Sequence, residues 1–293
     1  MAPWLDRAAA RRWFERAAGS DRLAREVERR MAARLDFIRH QPRRILELGC
    51  GAGAGLAALQ RRYPAAEIVA VDVALGLLRR ARRTRSLAGR WRALVVGARE
   101  HFVCADLGAL PLAAGACALI WSNLALAWAA DLAAALREWH RVLEVDGLLM
   151  FTTYGPDTLR ELRAAFAAAE AAPHVHPFAD MHDLGDALVA TGFADPVMDM
   201  ERFTLDYPSV DALLAELRAS GQRNALSARR RALTGARAWR RMREAYAARE
   251  RDGRVRATFE VVYGHAWKAP ARVAGDGRAI IRFDPRPHPK KAG

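Results

Sequence analysis

Between Ile45 and Gly55 the chain reads ILELGCGAGAG. An apolar run carries an acid, Glu47, near its end, and glycines follow at 49, 51, 53 and 55. A short apolar run stopped by glycine reads as a buried strand, Arg44 to Leu48. Glycines directly behind a strand allow a tight turn and a close approach of the backbone to something else. Leu56 to Tyr63 then reads as a helix stopped by Pro64. Strand, glycine turn and helix in this order point to a parallel α/β sheet.

The pattern continues along the chain. Residues 4 to 38 read as helical, with Trp13, Ala17, Leu23, Val27, Met31, Leu35 and Ile38 as the apolar repeat, and Pro42 marks a break. Glu67 to Val71 is a second strand closed by Asp72, followed by a basic helix, Leu75 to Arg85. Further strands are expected at His101–Asp106, Ala118–Asn123 and Gly147–Thr153, with a helix over Asp131–Leu143 capped by Asp131. Beyond residue 155 helices are expected over Pro156–Ala171, Met181–Thr191 and most of 209–250. Pro196–Tyr207 and Thr258–Trp267 read as the last strands. The expected organisation is an N-terminal helical lid segment (1–40), one main domain (41–268) and a loose tail (269–293). Within the main domain the cofactor core spans 41–155 and substrate-covering helices lie within 156–256. Inside the tail only AIIRF at 279–283 is apolar.

A chain of 293 residues with 52% hydrophobic content can bury a substantial core. No run approaches the roughly 18 apolar residues of a membrane span. The Arg- and Ala-rich start contains Asp6 and Glu15, which argues against a transit peptide and for a cytoplasmic protein whose first segment belongs to the fold. Cys50, Cys104 and Cys117 form no CxxC pair and read as buried free thiols. The net charge of +14 suits an acidic partner, either a protein or nucleic acid. Nothing here matches an RNA-binding, zinc-knuckle or helix-turn-helix pattern, so nucleic acid is not favoured.

Ligands bind at the carboxyl ends of strands in such sheets. A phosphate-binding P-loop needs a Lys behind its glycines, and none follows here. A dinucleotide fingerprint fits poorly, because its third glycine would fall on Ala54 or Leu56. S-adenosyl-L-methionine fits better. Glu47 can take its ammonium, Asp72 its ribose hydroxyls and Asp106 its adenine amino group, against the turn at Gly49, Gly51 and Gly53. Val73 and Leu107, next to two of these acids, and Asn123 after the fourth strand complete the expected cofactor set. Three acids at the ends of successive strands are a stronger signal than any one glycine turn; the competing reading is that each merely caps a helix.

The stretch Glu47-Leu48-Gly49-Cys50-Gly51-Ala52-Gly53 resembles motif I of the class I S-adenosylmethionine-dependent methyltransferases. That resemblance implies a Rossmann-like sheet of seven strands, one antiparallel, with helices on both faces and an added N-terminal helical segment. The reversed strand would be Thr258–Trp267. WSNLALAW at 121–128, YGPDTLRELRAAF at 154–166, DMHDLGDALVATGFADPVMD at 180–199 and TFEVVYGHAW at 258–267 look like the malonyl-acyl-carrier-protein O-methyltransferases of biotin synthesis. That narrower resemblance implies transfer of a methyl group to the malonyl carboxylate on acyl carrier protein, an acidic partner. The mitochondrial complex I assembly factor that hydroxylates an arginine shares the SNL…W segment, a stretch like Pro173–Phe178, the DLG and the late strand. HDLGDALVATGFADPVMD and EVVYGHAW lean toward the methyltransferases. A third reading, a nucleic-acid amino-methyltransferase, calls for a proline pair after the fourth strand, where this chain has Ser122-Asn123-Leu124-Ala125. The chain departs from the malonyl family at Gly19-Ser20-Asp21, where a Tyr-Asp pair is usual; no tyrosine precedes Tyr63.

Methyl transfer to a carboxylate that is already ionised needs positioning rather than a general base. No catalytic acid–base residue is therefore assigned. Arg202 and Arg223 lie in the region expected to cover the substrate, and Trp128 stands beside the expected transfer point. His174 and His176 lack a third ligand at suitable spacing, so no metal is expected.

Overall fold

The computed structural model describes residues 4–18, 22–83, 99–248, 250 and 252–270. Among these, seven strands form one sheet: β1 (Arg44–Leu48), β2 (Glu67–Asp72), β3 (Glu100–Cys104), β4 (Cys117–Ser122), β5 (Leu143–Tyr154), β6 (Ala194–Tyr207) and β7 (Val255–Trp267). Their order is β3-β2-β1-β4-β5-β7-β6. Strands β1 to β5 pair in parallel, and β7 runs antiparallel to both β5 and β6. β7 is thus the reversed strand expected near the C-terminus. From β1 the order runs to β2 and β3 on one side and to β4 and β5 on the other. That reversal leaves a crevice at the carboxyl ends of β1 and β4, where a ligand fits between diverging connections.

Nine helices accompany the sheet among the described residues: α1 (Arg7–Glu15), α2 (Arg22–Arg34), α3 (Leu56–Arg62), α4 (Leu75–Arg83), α5 (Leu132–Val142), α6 (Arg160–Ala167), α7 (Met181–Ala190), α8 (Val210–Ala219) and α9 (Ala236–Ala247). Both faces of the sheet are covered, which explains why its central strands read as unbroken apolar runs. Ile45, Ile68, Ala70, Leu119, Trp121 and Met150 face a core that also holds Val27 and Met31 of α2. Alternate residues Leu46, Val69, Val71, Ile120 and Phe151 face a second core with Leu136 and Trp139 of α5. The strand period of two sorts neighbours onto opposite faces.

Several expectations change. The helical stretch 4–38 becomes α1, α2 and a short 3-10 turn at Leu35–Phe37. The helix expected from Pro156 begins only at Arg160, after Leu159 in a left-handed conformation (φ 54°). The β7 strand holds that entry open: Thr158 Oγ1 donates to the Glu260 carbonyl at 2.9 Å, and the Asp157 N–H donates to the Glu260 carboxylate at 3.2 Å. Residues 209–250 hold α8 and α9 with an irregular segment between them. β5 starts four residues earlier than expected, with Asp146 at φ 62° and a register shift against β4. Cys104 is exposed rather than buried, because it ends the edge strand β3. Gly19–Asp21, the end of the helix expected to reach Arg85, and the tail beyond Pro270 with its AIIRF run lie outside the described residues.

Trp139 links the core to the crevice. Its indole Nε1 donates to the Leu107 carbonyl at 2.9 Å, fixing the loop after β3 from a fully buried position. Trp139→Phe should keep most of the packing and strand that carbonyl. The expected loss is about 1–2 kcal/mol, measured as a lower midpoint in urea unfolding with an unchanged slope.

Candidate active site

The glycine turn is built against β2. Gly49 and Cys50 donate backbone N–H bonds to the Val71 carbonyl at 2.8 and 3.1 Å. Gly49 and Gly51 take φ of 72° and 55°, a region that side-chain-bearing residues enter at a cost. Gly51 N–H then donates to Asp72 Oδ2 at 2.9 Å, and Ala74 N–H donates to Asp72 Oδ1 at 2.8 Å. One buried carboxylate therefore joins the turns after β1 and β2. Each of its oxygens keeps a lone pair for a further donor. Burial pushes the Asp72 carboxyl up, and the backbone N–H bonds pull against that shift.

Glu47 points into the same crevice. It is 5% exposed, and its Oε2 has no hydrogen-bond partner. Burial pushes its carboxyl well up, and Glu28, Asp72 and Glu100 add to the shift. Gly53 was expected to join the wall but does not line the cavity. A Cβ there would stand 2.9 Å from that of Ala81, so Gly53 serves the packing of the turn on α4.

A cavity of about 220 Å³ opens at these strand ends. Glu47, Gly49, Gly51, Asp72, Val73, Asp106, Leu107 and Asn123 all line it. Two are already engaged by the N-terminal helices. Asp106 receives Arg7 of α1 at 2.5 Å and the Gly108 N–H at 2.8 Å. Asn123 donates through Nδ2 to the Ala24 carbonyl of α2 at 2.8 Å and accepts from Thr152 Oγ1 at 2.7 Å. Leu124, the next residue, sits at φ 56°, held by two bonds from its N–H to Thr152. Sequence reasoning missed Glu28, Phe14, Tyr154 and Gln222, which also line the cavity. Glu28 is one charged residue in a charged helix, and no local pattern separates it from its solvated neighbours.

A second cavity of about 240 Å³ shares Trp128, Tyr154 and Gln222 with the first. Tyr154 Oη donates to Gln222 Oε1 at 3.1 Å where the two meet. Its wall mixes apolar residues, among them Leu162, Phe166 and Trp239, with polar ones, and carries Arg218 and Arg223. Arg223 lies 3.9 Å over the Trp13 ring and has no carboxylate partner among the described residues. Burial and the nearby Arg218 and Arg16 charges make it harder to protonate than an ordinary guanidinium. Arg202, the other arginine considered, lines neither cavity; it pairs with Asp157 at 2.9 Å on the surface. His174 stacks on Phe166 and bonds Glu170 at 2.5 Å, while His176 Nε2 accepts the Ala225 N–H at 3.1 Å.

A family model described as a methyltransferase domain matches residues 46–151. The chain is 51% identical over 289 residues to the malonyl-[acyl-carrier protein] O-methyltransferase of Laribacter hongkongensis, covering 96% of this chain and 97% of that one. It is 49% identical over 282 residues to the protein of that name from Gallionella capsiferriformans, covering 95% and 96%. The chain belongs to the malonyl-[acyl-carrier protein] O-methyltransferase family. The fold is also that of the Bacillus subtilis YcgJ protein, at a TM-score of 0.56 and 14% identity over 84% of this chain and 99% of that one. These family relatives lend no support to the arginine-hydroxylase alternative.

The residues of this malonyl-[acyl-carrier protein] O-methyltransferase family member fit S-adenosyl-L-methionine as methyl donor. That ligand is cationic at its sulfur and its amino group. The first cavity presents buried carboxylates, one with an unpartnered oxygen, and a backbone turn close enough to admit an amino-acid portion. No helix among the described residues is long and apolar enough to cross a membrane.

Burial holds His176 down at about 4, so it is neutral at pH 7 and can accept the Ala225 bond. The unfolded chain binds its proton near the ordinary value of about 6.5. Stability should therefore fall as pH drops from about 6.5 to about 4, by on the order of 2–3 kcal/mol from this group. In denaturant unfolding at stepped pH, the difference between wild type and His176→Asn should show that slope, since the raised carboxyl of Glu28 contributes with the opposite sign in the same window.

Proposed function

We propose that this protein transfers the methyl group of S-adenosyl-L-methionine to the free carboxylate of malonyl-acyl carrier protein. The product would be the malonyl methyl ester that primes pimeloyl synthesis for biotin, made in the cytoplasm. The observation that carries this reading is the meeting of two unlike cavities at Trp128, Tyr154 and Gln222. One holds the buried acids Glu47 and Asp72 beside the glycine turn; the other carries Arg218 and Arg223 on a wall of mixed polarity.

When bound, the cofactor supplies a methyl group on a positively charged sulfur. Asp72 would accept the ribose hydroxyls with its remaining lone pairs. Val73 and Leu107 would flank the adenine, and Asp106 would receive its amino group beside the Arg7 contact. Glu47, helped by the open backbone at Gly49 and Gly51, would hold the amino-acid end. Asn123 would position α2 rather than grip the ligand alone, since both ends of its amide are engaged. N-terminal residues up to about 40 would act as the lid: Phe14 of α1 packs on Trp128 at 4.8 Å between ring centres.

Arg223 would orient the malonyl carboxylate. A guanidinium without an acid partner gains from binding one, and its fork fixes two oxygens. The carboxylate is ionised at neutral pH, so no group has to remove a proton. Alignment and exclusion of water are enough, and such positioning can supply about 7–11 kcal/mol. The mixed wall of the second cavity, apolar at Leu162, Phe166 and Trp239 and polar at Gln222 and Asn224, would suit the arm that links the malonyl thioester to its carrier. The excess of arginine would favour an acidic carrier surface.

The test is transfer of labelled methyl from S-adenosyl-L-methionine to malonyl-, acetyl- and succinyl-loaded carrier. Label should appear on the malonyl carrier and be lost in Asp72→Ala. Arg223→Ala should lower kcat/KM roughly 10- to 100-fold with cofactor affinity unchanged. Cofactor binding without label on any acyl carrier would overturn the acceptor assignment.

A further inference from the structure

Two carboxylates from different parts of the fold meet at Gly55. Glu47 comes from β1, and Glu28 from α2, which lies over the cavity. Gly55 has an ordinary φ of −75°, so its backbone does not call for glycine. Space does: a Cβ there would run into Glu28 Oε1 and stand 2.6 Å from Glu47 Oε1. Both acids line the cavity, both are nearly buried, and Glu47 Oε2 has no partner. Neither is paired with a cation among the described residues.

Two buried carboxylates that converge on one point cannot both ionise freely without a positive charge to share. We infer that Glu28 and Glu47 form a two-carboxylate clamp that keeps a proton in the free enzyme and releases it when the cofactor's amino-acid ammonium takes its place. This inference rests on the cofactor reading above and adds to it a residue of the N-terminal segment. The released proton goes to solvent; the ammonium keeps its own hydrogens and donates them to both carboxylates. The packing of α2 beside the crevice thereby supplies a second carboxylate to the site.

The surroundings bear this out physically. Burial raises Glu28 to about 7, and the Trp121 indole offsets this only in part. Glu47 is pushed well up by burial first, then by Glu28, Asp72 and Glu100. The other charged groups facing the pair are Asp72 of β2, Glu100 of β3, and Arg7, Arg11 and Arg25 on the cavity wall. Arg7 is held by Asp106, and Glu100 by Gln60 of α3. The cavity thus offers excess negative charge where the ligand is positive. The competing account is that Glu28 stays a neutral acid and only packs against the core beside Val27.

Calorimetric titration of the full chain with S-adenosyl-L-methionine at pH 6, 7 and 8, in buffers of different ionisation enthalpy, separates the two. The wild type should release protons on binding at pH 6 and 7, while at pH 8 uptake by the ligand's amine outweighs that release, and affinity should rise roughly fivefold from pH 6 to pH 7. Glu28→Gln, which keeps the shape, should bind roughly tenfold or more weakly at pH 8 and nearly as well as wild type at pH 6. Titration of the ligand's own amino group, near 8, is common to both proteins and drops out of that difference. Wild-type binding with no buffer-dependent heat, or an equal weakening by Glu28→Gln at every pH, would overturn the clamp while leaving the cofactor reading intact. Failure of the wild type to bind the cofactor at any pH would remove the reading beneath it.

Discussion

Asp72 is the hinge of the site. Its two oxygens take one N–H from the turn after β1 and one from the turn after β2, so two separate connections are fixed by one side chain. Removing it would leave two buried donors unpaired, each worth about 1–3 kcal/mol. The consequences spread outward. The turn after β2 leads into α4, whose first N–H groups, from Leu75 and Gly76, receive the Glu15 carboxylate of α1 at 2.7 and 2.8 Å. The wall that would hold a ribose is therefore also the wall on which the N-terminal helix docks.

The two N-terminal helices are attached by different physics. α2 gives Leu23, Val27 and Met31 to the larger core, and its burial ties it to the sheet. α1 and its flanks use smaller apolar clusters, Ala9 and Ala10 with Leu5 and Ala225 and Phe14 beside Ala17 and Leu77, together with polar contacts: Glu15 on α4, Arg7 on Asp106, and the Ala18 N–H on the Ala219 carbonyl at 2.7 Å. Arg7 is more than half exposed, and such a pair contributes at most about 1 kcal/mol. These clusters are separate from the two cores on the faces of the sheet. The arrangement suits a crevice that must admit a ligand and then exclude water.

Most of the frame was legible because its signals are local. β1 starts and stops where the apolar run and glycine turn place it, and Asp131 caps α5 through the Ala134 N–H as its position implied. The acids that line the first cavity were legible for the same reason, since Glu47, Asp72 and Asp106 each follow from a strand and its end. What failed to show depends on contacts between distant residues. Leu159 is left-handed because β7 seizes Thr158 and Asp157, more than 100 positions away. Gly53 sits in a motif that suggests ligand contact, yet its role is fixed by Ala81 on another helix. Glu28 belongs to a helix of alternating charges, and only the folded chain sets it against Glu47.

The chemistry of the acceptor explains why the site has arginines and carboxylates but no acid–base dyad. A malonyl carboxylate already bears its charge, so a base would add nothing, while an anchoring cation too tightly paired with the reacting oxygen would weaken it as a nucleophile. Arg223 would meet both demands: it lies on the Trp13 face, where its charge is shared with a ring rather than with a carboxylate among the described residues. Opposite it, the negative wall at Glu28, Glu47 and Asp72 favours a cationic donor. Electrostatic separation of the two cavities, joined at Trp128, Tyr154 and Gln222, would thus sort donor from acceptor before any bond is made. An anionic acceptor placed in the first cavity would face buried carboxylates, and a cationic donor in the second would face Arg218 and Arg223.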